Sequence, residues 1–364
     1  MNSGKGSLTI VFGGQFGSEG KGQIVGHLAR QRKYSHAVRV GGPNAGHTFL
    51  LPNGKKQVLQ SIPIACFMDS GVAGVIGPAG VIIPELLDKE WQAACDYLDP
   101  YNPSLLIDQN VAVINRGHMA QEAASLTERI GSTGEGVGAV TADKVMRKTS
   151  TQVDRKLADH WAEGPEFFGL ESGVDTAKLI NNMLFKHGRD VLVEGTQGFG
   201  LSLHTGGFYP YCTSRECTPQ GILGDAGISP MSAASVESIM VLRTYPIRVG
   251  GNSGPLRDEI DWETLGKRTN GYVAEPERTT VTKKVRRIAE WDWELAYRAT
   301  QICRPTALAL TFFDYWYPEI ATAVDSSALS SIMWARVNEI EFKLGVPVKY
   351  ISTGFGTVIT VGRR

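Results

Sequence analysis

A glycine-rich segment at residues 13–23, GGQFGSEGKGQ, has the composition of a phosphate-binding loop. Glycines let backbone N–H groups turn towards phosphate oxygens, the N-terminus of a following helix adds partial positive charge, and Lys21 adds a full one. The segment departs from the Walker A pattern because Gly22, rather than Ser or Thr, follows the lysine. An ordinary tight turn could have a similar composition, but the lysine and the apolar run before the loop favour phosphate binding.

A second polar loop, GGPNAGHT at residues 41–48, also follows an apolar segment. Asn44 and Thr48 could hydrogen-bond a ligand, and the carbonyl oxygen of Gly46 could bind a metal ion. His47 titrates near neutrality and could donate a proton to a reacting oxygen. An isolated histidine often has a structural role, but its place in a glycine-rich loop favours catalysis.

Four further segments offer hydroxyl, amide or cationic groups: residues 132–147, 194–198, 209–214 and 279–287. In these segments Gln197 could contact the edge of a base, and Arg286 could bind a carboxylate through two parallel hydrogen bonds. For Arg147 and the basic segment 279–287, a solvated surface position is the alternative interpretation.

Composition excludes several classes of partner. The 364 residues contain 37 Lys plus Arg and 37 Asp plus Glu, so no global charge attracts nucleic acid or a membrane surface. We see no signal peptide and no apolar run that could span a bilayer. The five cysteines are scattered without CxxC spacing, which predicts reduced thiols and a cytoplasmic location.

Predicted strands alternate with predicted helices. The strands are expected at 7–12, 36–40, 191–194, 307–314 and 349–351, and the helices at 21–32, 84–98, 118–130, 175–187, 286–303 and 327–344. This alternation predicts an α/β protein with a mostly parallel central sheet, flanking helices, and ligands at the carboxyl ends of the strands. No linker is evident, so we expect a single domain over 1–364 with inserted loops.

These loops, in this order, resemble the adenylosuccinate synthetase family over most of the chain, from Phe12 to Gly354. The resemblance implies a homodimeric α/β ligase related in fold to P-loop proteins. It also implies a two-step reaction that joins L-aspartate to C6 of a 6-oxopurine nucleotide. A nucleoside triphosphate with Mg²⁺ first phosphorylates the 6-oxygen, and the amine of aspartate then displaces phosphate.

The family motifs assign roles to individual residues of this sequence. The resemblance places the donor nucleotide at Ser18, Glu19, Gly20, Lys21, Gly22, Gly46, His47, Thr48, Asp314, Ser352 and Gly354. It places the substrate monophosphate at Asn44, Ser132, Thr133, Gln197, Thr213 and, from the other subunit of a dimer, Arg147. Aspartate is expected at Thr280, Thr282 and Arg286. The catalytic positions are Ser18, Lys21 and His47, with His47 as general acid, and the Mg²⁺ positions are Ser18 and Gly46.

One departure from the family pattern bears on the substrate. The family loop reads G-D-E-G-K-G, and its aspartate removes the proton from N1 of hypoxanthine, whereas this chain has Ser18 at that position. A hydroxyl stays protonated at neutral pH and is a poor base. Serine is smaller, however, and its oxygen can accept a hydrogen bond from the C2 amine of guanine. The change resembles the family's phage-type branch, which uses dGMP to make 2-amino-2′-deoxyadenylo-succinate for 2-aminoadenine DNA.

Other departures affect the donor base and the ribose. The family has T-K-x-D where this chain has Thr311 to Asp314 with Phe312 in place of the lysine, and a P-D pair after STG is replaced by Phe355 and Gly356. These changes remove groups that the family uses for guanine, so we expect ATP as the donor, with dATP or GTP as alternatives, because an aromatic ring can stack on any base. Residues 283–285, KKV, replace arginines of the family's aspartate loop, which suits a deoxynucleotide.

Two alternative functions remain open on the sequence. One is a standard adenylosuccinate synthetase acting on IMP with GTP, against which Ser18 argues. The other is a nucleotide-binding switch without ligase chemistry, which would not require His47, Gln197 or the basic loop at 279–287.

Overall fold

The computed structural model describes residues 4–69, 71–98, 103–148, 169–279 and 283–362. The strands are β1 (Ser7–Gly13), β2 (His36–Arg39), β3 (His47–Leu50), β4 (Lys56–Leu59), β5 (Ala73–Ile76), β6 (Val81–Ile82), β7 (Leu105–Asp108), β8 (Ala112–Val113), β9 (Leu170–Val174), β10 (Val191–Gly198), β11 (Ser235–Arg243), β12 (Ile247–Arg248), β13 (Glu259–Ile260), β14 (Arg287–Ala289), β15 (Ala307–Thr311), β16 (Val348–Gly354) and β17 (Thr357–Thr360).

The helices have these bounds: α1 (Lys21–Gln31), α2 (Ala65–Met68), α3 (Pro84–Tyr97), α4 (Arg116–Ser125), α5 (Thr127–Ile130), α6 (Val137–Val145), α7 (Thr176–Phe185), α8 (Pro219–Ala226), α9 (Trp262–Arg268), α10 (Trp293–Cys303) and α11 (Ser331–Leu344).

Within the described residues, ten strands form the central sheet in the order β17-β16-β15-β11-β1-β10-β2-β5-β7-β9. All neighbouring strands in this sheet are parallel except β16 and β17, which are antiparallel. The prediction of a mostly parallel α/β sheet is therefore confirmed. Strand β1 lies at the centre, between β10 and β11, so the glycine-rich loop that follows it begins at the middle of the sheet edge.

Both faces of the sheet are covered, as a parallel sheet requires. Ile10 and Phe12 of β1 face one apolar layer, which α7, α8, α10 and α11 complete. Val11 faces the opposite layer, which contains the apolar sides of α1, α2 and α3. Alternate residues of the short run SLTIVF thus anchor the start of the phosphate loop on both sides.

The predicted helix over 286–303 is wrong in its first half. Residues Arg287–Ala289 form β14, which pairs with β12 and β13 in a small antiparallel sheet. Asp292 begins α10 by accepting a hydrogen bond from the backbone N–H of Leu295 at 2.9 Å. The cap divides the segment, because an aspartate there satisfies a free N–H of the first helical turn.

Two other predicted elements are shorter than expected. The strand predicted over 307–314 ends at Thr311, because Phe312 has a φ of 55° and a 3₁₀ turn, Phe313–Tyr315, follows. The helix predicted from residue 327 begins at Ser331, since Ser330 caps it.

The helix predicted over 118–130 is divided at Leu126 into α4 and α5.

No helix in the described part of the chain is long and apolar enough to cross a membrane. The five cysteines are free thiols, as their scattered spacing predicts.

Candidate active site

A cavity of about 330 Å³ collects residues from most of the polar loops that the sequence singles out. Nine predicted site residues line it: Ser18, Asn44, Gly46, His47, Ser132, Thr133, Gln197, Thr213 and Arg286. They come from the loop after β1, the loop after β2, the end of β10, and segments that are far apart in sequence. The sheet topology brings these segments to one edge, as expected for an open parallel sheet.

Several polar side-chain atoms of the cavity lining have no hydrogen-bond partner among the described residues. Three residues that line it carry a buried side-chain polar atom without a hydrogen-bond partner among the described residues, namely His47 Nε2, Thr133 Oγ1 and Ser214 Oγ. Buried polar atoms in folded proteins are normally paired, and an unpaired one costs about 1–3 kcal/mol. The arrangement indicates a binding site for a polar ligand.

The phosphate loop is organised around an internal carboxylate. Glu19 is 1% exposed, and its Oε1 accepts hydrogen bonds from the backbone N–H groups of Gln15 at 3.1 Å and Gly17 at 2.7 Å. Its Oε2 accepts a hydrogen bond from Nζ of Lys21 at 2.8 Å. Gly20, with a φ of 81°, then turns the chain into α1. Lys21 is therefore held inside the loop, beside the groups predicted to bind phosphate.

His47 belongs to a second buried charged group. Its Nδ1 donates a hydrogen bond to Oε1 of Glu194, which also accepts a hydrogen bond from Arg39 Nη1 at 2.7 Å. The other oxygen of Glu194 accepts a hydrogen bond from the backbone N–H of Ile64 at 2.9 Å. Glu194 and Arg39 are paired residues on the neighbouring strands β10 and β2, so sheet register places them together.

This environment sets the protonation of His47. Burial, and then the cation of Arg39, lower the pKa of His47 to about 4. Burial raises the pKa of Glu194, but Arg39 and His47 outweigh burial and hold that pKa below its ordinary value. At neutral pH the imidazole is thus uncharged, its proton lies on Nδ1, and Nε2 is a hydrogen-bond acceptor.

Ser18 contacts a residue predicted to bind aspartate. Nη1 of Arg286 donates a hydrogen bond to Ser18 Oγ at 2.7 Å, and both residues line the cavity. Burial lowers the pKa of Arg286, the guanidinium of Arg243 lowers it further, and the neighbouring carboxylates Glu277 and Glu19 oppose the shift. The hydroxyl of Ser18 therefore already accepts one hydrogen bond from a cation.

Helices α4 and α6 form part of the cavity wall. Glu122 of α4 accepts hydrogen bonds from Ser132 Oγ and from the backbone N–H of Gly138, the latter at 3.0 Å. This carboxylate ties the loop that carries Ser132 and Thr133 to both helices. The hydroxyl of Thr133 remains without a partner among the described residues.

The residues predicted to bind the donor base lie next to the phosphate loop, outside the cavity lining. Thr311 Oγ1 donates a hydrogen bond to the carbonyl of Glu19, which joins the end of β15 to the loop. Asp314 follows in the 3₁₀ turn, and burial raises the pKa of its carboxyl. Ser352 and Gly354 end the neighbouring strand β16, where Ser352 Oγ donates to Gln23 Oε1 of α1 at 3.3 Å. Thr48, in β3, packs against Gly22 of α1, where an added Cβ would come within 2.5 Å of the Thr48 carbonyl.

The remaining predicted residues are one that the structure places outside the cavity lining, Arg147, and two that it does not describe. Arg147 is exposed, two residues beyond the end of α6, with a φ of 60°. It is not among the cavity-lining residues of the described chain. Thr280 and Thr282 lie outside the described residues.

Sequence reasoning missed the charged partners of the site residues. Glu194 is the first residue of the EGTQG segment, in which the sequence pattern points only to Gln197. The sequence does carry a signal for Glu194, since its carboxylate comes directly after the apolar run Val191–Val193. A charge buried at the end of such a run requires a charged or hydrogen-bonding partner. Arg248 was also missed, although it lines the cavity and donates a hydrogen bond to the carbonyl of Tyr211 at 2.9 Å.

The fold and the site together define a nucleotide-dependent ligase, and comparison with known families agrees. The adenylosuccinate synthetase family model matches residues 10–163 and 170–317. The chain therefore belongs to the adenylosuccinate synthetase family, whose members are carbon–nitrogen ligases.

Individual relatives span nearly the whole chain. The adenylosuccinate synthetase of Methanococcus aeolicus is 36% identical over 353 residues, which cover 96% of this chain and 97% of that protein. That of Pyrococcus horikoshii is 36% identical over 348 residues and covers 95% of both chains.

A solved structure adds a different kind of relative. The succinoaminodeoxyadenylate synthetase of cyanophage S-2L, bound to dGMP and to dATP as an energy donor, superposes with a TM-score of 0.80. It is 28% identical and the superposition covers 99% of this chain and 97% of that one. The fully ligated adenylosuccinate synthetase of Plasmodium falciparum also has a TM-score of 0.80, and at 21% identity it shows the shared fold.

Proposed function

We propose that this protein joins L-aspartate to C6 of dGMP, with ATP as the phosphoryl donor. The 6-oxygen of guanine is phosphorylated, and the aspartate amine then displaces phosphate to give 2-amino-2′-deoxyadenylo-succinate, ADP and phosphate. The product would serve the synthesis of 2-aminoadenine deoxynucleotides. The observation that carries this proposal is Ser18, which lies in the cavity with its Oγ bonded to Arg286.

The chemistry at position 18 favours guanine over hypoxanthine. A serine oxygen has two lone pairs, and the hydrogen bond from Arg286 uses one of them. The other can accept a hydrogen bond from the C2 amine, a group that hypoxanthine lacks. A site that bonds a polar substrate group rejects the analogue without it by large factors, because its own polar atom is then left unpaired.

The cyanophage relative supports the same assignment. That protein was solved with dGMP and dATP, and it matches almost the full length of this chain. This similarity is one of fold, and the proposed preference of this chain for dGMP depends mainly on Ser18.

His47 and Arg286 have complementary roles in this reaction. A bound triphosphate would raise the pKa of the nearby imidazole, so the protonated His47 Nε2 would donate a hydrogen bond to the 6-oxygen during its phosphorylation and would give its proton to that oxygen as phosphate leaves. A guanidinium has five N–H donors, so the bond from Arg286 to Ser18 leaves capacity to bind a carboxylate of aspartate.

Adenine is the better candidate for the donor base. The ring of Phe312 lies beside Gly20 of the phosphate loop, where an added Cβ would come within 3.4 Å of it. The guanidinium of Arg243 covers the same ring, with its Cζ 3.6 Å from the centroid. We propose ATP, with dATP as the nearest alternative, since stacking alone does not distinguish the two sugars.

Mg²⁺ fits the oxygen ligands that the cavity offers. The described residues contain no group of three or more His, Cys, Asp or Glu side chains that could hold a metal ion. The Gly46 carbonyl is a hard, neutral oxygen ligand in the cavity lining, whereas Ser18, the other predicted Mg²⁺ position, would have both lone pairs of its Oγ engaged by Arg286 and the C2 amine. Mg²⁺ is commonly bound through few protein ligands together with substrate phosphates, and it neutralises charge on the transferred phosphoryl group.

We also propose a homodimer in which Arg147 contacts the monophosphate bound by the other subunit. Within one chain Arg147 is exposed and is not part of the cavity lining among the described residues. An exposed arginine just past α6 suits a role at a neighbouring site better than one in its own chain.

A second candidate is the standard reaction of IMP with GTP. The curated relatives at 36% identity carry the name adenylosuccinate synthetase. The switch without ligase chemistry is not favoured by any observation in the described residues.

Phosphate release distinguishes the two ligase candidates. The purified protein is supplied with Mg²⁺, ATP and aspartate, and with dGMP, GMP, dIMP or IMP in turn, and reactions without aspartate serve as controls. We expect the highest kcat/KM with dGMP, and a product whose mass equals that of dGMP joined to aspartate with loss of water. Equal or better use of IMP would contradict the proposal.

A further inference from the structure

Asp314 has one engaged and one unengaged carboxylate oxygen. The hydroxyl of Tyr272 donates a hydrogen bond to Oδ2 of Asp314 at 2.7 Å. The other oxygen, Oδ1, is buried and has no hydrogen-bond partner among the described residues. Asp314 is 4% exposed, so a hydrogen-bond partner for this oxygen must be a group other than bulk water.

The hydroxyl is a dependable donor at neutral pH. Burial, and then the hydrogen bond to Asp314, raise the pKa of Tyr272. The tyrosine ring itself is 43% exposed, so Tyr272 reaches the carboxylate from the rim of the protein rather than from its core. Removal of the hydroxyl would therefore leave the packing of the core unchanged.

Under the proposed function, on which this step rests, Asp314 lies where it can hydrogen-bond the edge of the donor base. Asp314 is two residues beyond Phe312, whose ring lies beside the phosphate loop. The 3₁₀ turn that carries Asp314 begins two residues after β15, and β16 lies next to β15 in the sheet.

The two candidate bases present different edges to a carboxylate. Guanine presents two adjacent donors, N1–H and the C2 amine, which match both oxygens of a free carboxylate. Adenine presents a single donor, its N6 amine, next to the acceptor N1. The Tyr272 hydroxyl already occupies one lone pair of Oδ2, so this oxygen is a weaker acceptor for the second of two adjacent N–H donors, whereas Oδ1 is fully available to a single donor.

We propose that Tyr272 is a specificity-determining residue for the donor nucleotide. Its hydroxyl engages Oδ2 of Asp314, leaves Oδ1 for the N6 amine of adenine, and disfavours guanine, whose second donor would meet an oxygen already engaged by Tyr272.

The test is the substitution Tyr272→Phe, with Tyr315→Phe as the matched control. The Tyr315 hydroxyl donates to Glu277 Oε1 at 3.0 Å, so the control removes a hydroxyl from the same aromatic cluster without freeing Asp314. The kcat/KM for ATP and for GTP is measured with saturating monophosphate and aspartate. We expect the wild type to prefer ATP and Tyr272→Phe to lower the ATP/GTP ratio by about tenfold, mainly through the KM of the donor.

The ratio in Tyr315→Phe should stay within about twofold of the wild type, since its change does not touch the carboxylate. An unchanged ratio in Tyr272→Phe, or a wild type that prefers GTP, would overturn the proposal. The test is independent of the acceptor nucleotide. If IMP proves to be the substrate, the same ratios are measured with IMP. If no monophosphate supports turnover, calorimetric titration of wild type and variants with ATP and GTP gives the same comparison.

Discussion

Glu194 accepts a hydrogen bond from Nδ1 of His47, and both side chains are buried, at 1% and 4% exposure. The bond fixes the imidazole in the tautomer that leaves Nε2 free of a proton and without a partner among the described residues. Glu194 keeps its charge because Arg39 bonds to it and Ile64 donates a backbone N–H. The carboxylate thus acts through the histidine, and we classify it as a positioning residue.

The first prediction concerns Glu194→Gln. The substitution removes the charge that stabilises a protonated His47 and leaves Arg39 without its ion pair. We expect kcat to fall by about 10²-fold, with little change in KM, because the imidazolium is required only during reaction. The alkaline side of the pH profile of kcat should move to lower pH, because His47 must be protonated to act as a general acid and loses its proton more easily without the charge of Glu194.

Glu90→Gln is the matched control for loss of a buried carboxylate. Glu90 accepts hydrogen bonds from the backbone N–H groups of Ser61 at 2.9 Å and Ile62 at 3.0 Å, and it does not line the cavity. Its variant should lose stability but keep the pH profile. If both variants lose activity to the same extent with unchanged profiles, Glu194 has only a structural role.

The second prediction is a pH-dependent stability set by His47. Its pKa is about 4 in the folded protein, against an ordinary value near 6.5, so the unfolded chain binds more protons between these values. Folding stability should therefore fall as the pH falls through this window. From pH 7 to pH 5 this group alone accounts for a loss of about 2 kcal/mol.

The comparison variant for this measurement is His47→Gln, which keeps an N–H donor for Glu194 but does not titrate. Urea unfolding of both proteins at pH 7 and pH 5 gives the difference directly. The loss between the two pH values should be smaller in the variant by about 2 kcal/mol. Equal losses in the two proteins would show that His47 titrates normally in the folded state.

The loops that carry the cavity residues were predictable from the sequence, because glycine, polar residues and apolar runs have local signatures. Ser18, Asn44 and Gln197 were selected on that basis and lie in one cavity. Burial partners have no such local signature. The pairing of Glu194 with Arg39 depends on which strands are neighbours and in which register, and spacing along the chain does not encode this.

The same reason explains the error over 286–303. Residues Arg287–Ala289 are compatible with a helix locally, but pairing with β12 and β13 gives them a strand partner on each side. Tertiary contacts then override a weak local preference. Tyr272 could not have been found from sequence, because its contact with Asp314 joins residues 42 positions apart.

The third prediction tests whether Arg147 acts across a dimer. Arg147→Ala should weaken monophosphate binding, and His47→Ala should lose about 10²–10⁴ in rate. Each variant alone is then nearly inactive. In a mixed dimer, the His47 of one subunit meets the Arg147 of the other, so one of the two sites is intact.

Equal amounts of the two variants, mixed under conditions that allow subunit exchange, should recover about a quarter of the wild-type activity. The fraction of mixed dimers is measured with differently tagged subunits. If mixed dimers form and remain inactive, Arg147 does not act in trans.

The fourth prediction concerns Ser18→Asp and Ser18→Ala. An aspartate at position 18 would pair with Arg286, which now donates to Ser18 Oγ at 2.7 Å, and would place a carboxylate against N1 of the purine. That carboxylate can serve as a base for hypoxanthine, but it occupies the space that the C2 amine of guanine requires. Ser18→Asp should therefore lower kcat/KM for dGMP more than for IMP.

Ser18→Ala separates space from hydrogen bonding, because alanine leaves room for the C2 amine but cannot accept a hydrogen bond from it. In this variant the preference for dGMP over dIMP should fall by about tenfold, the value of one hydrogen bond, while dGMP still binds because the space for its C2 amine remains. The measurement is kcat/KM for dGMP, dIMP and IMP in the wild type and both variants. Two outcomes would contradict the role of Ser18 as the acceptor of the amine: an unchanged dGMP/dIMP ratio in Ser18→Ala, or an equal loss of dGMP and IMP turnover in Ser18→Asp. In either case the presence of Ser18 in place of the family's aspartate would not affect which purine is bound. Substrate choice would then have to arise elsewhere in the cavity.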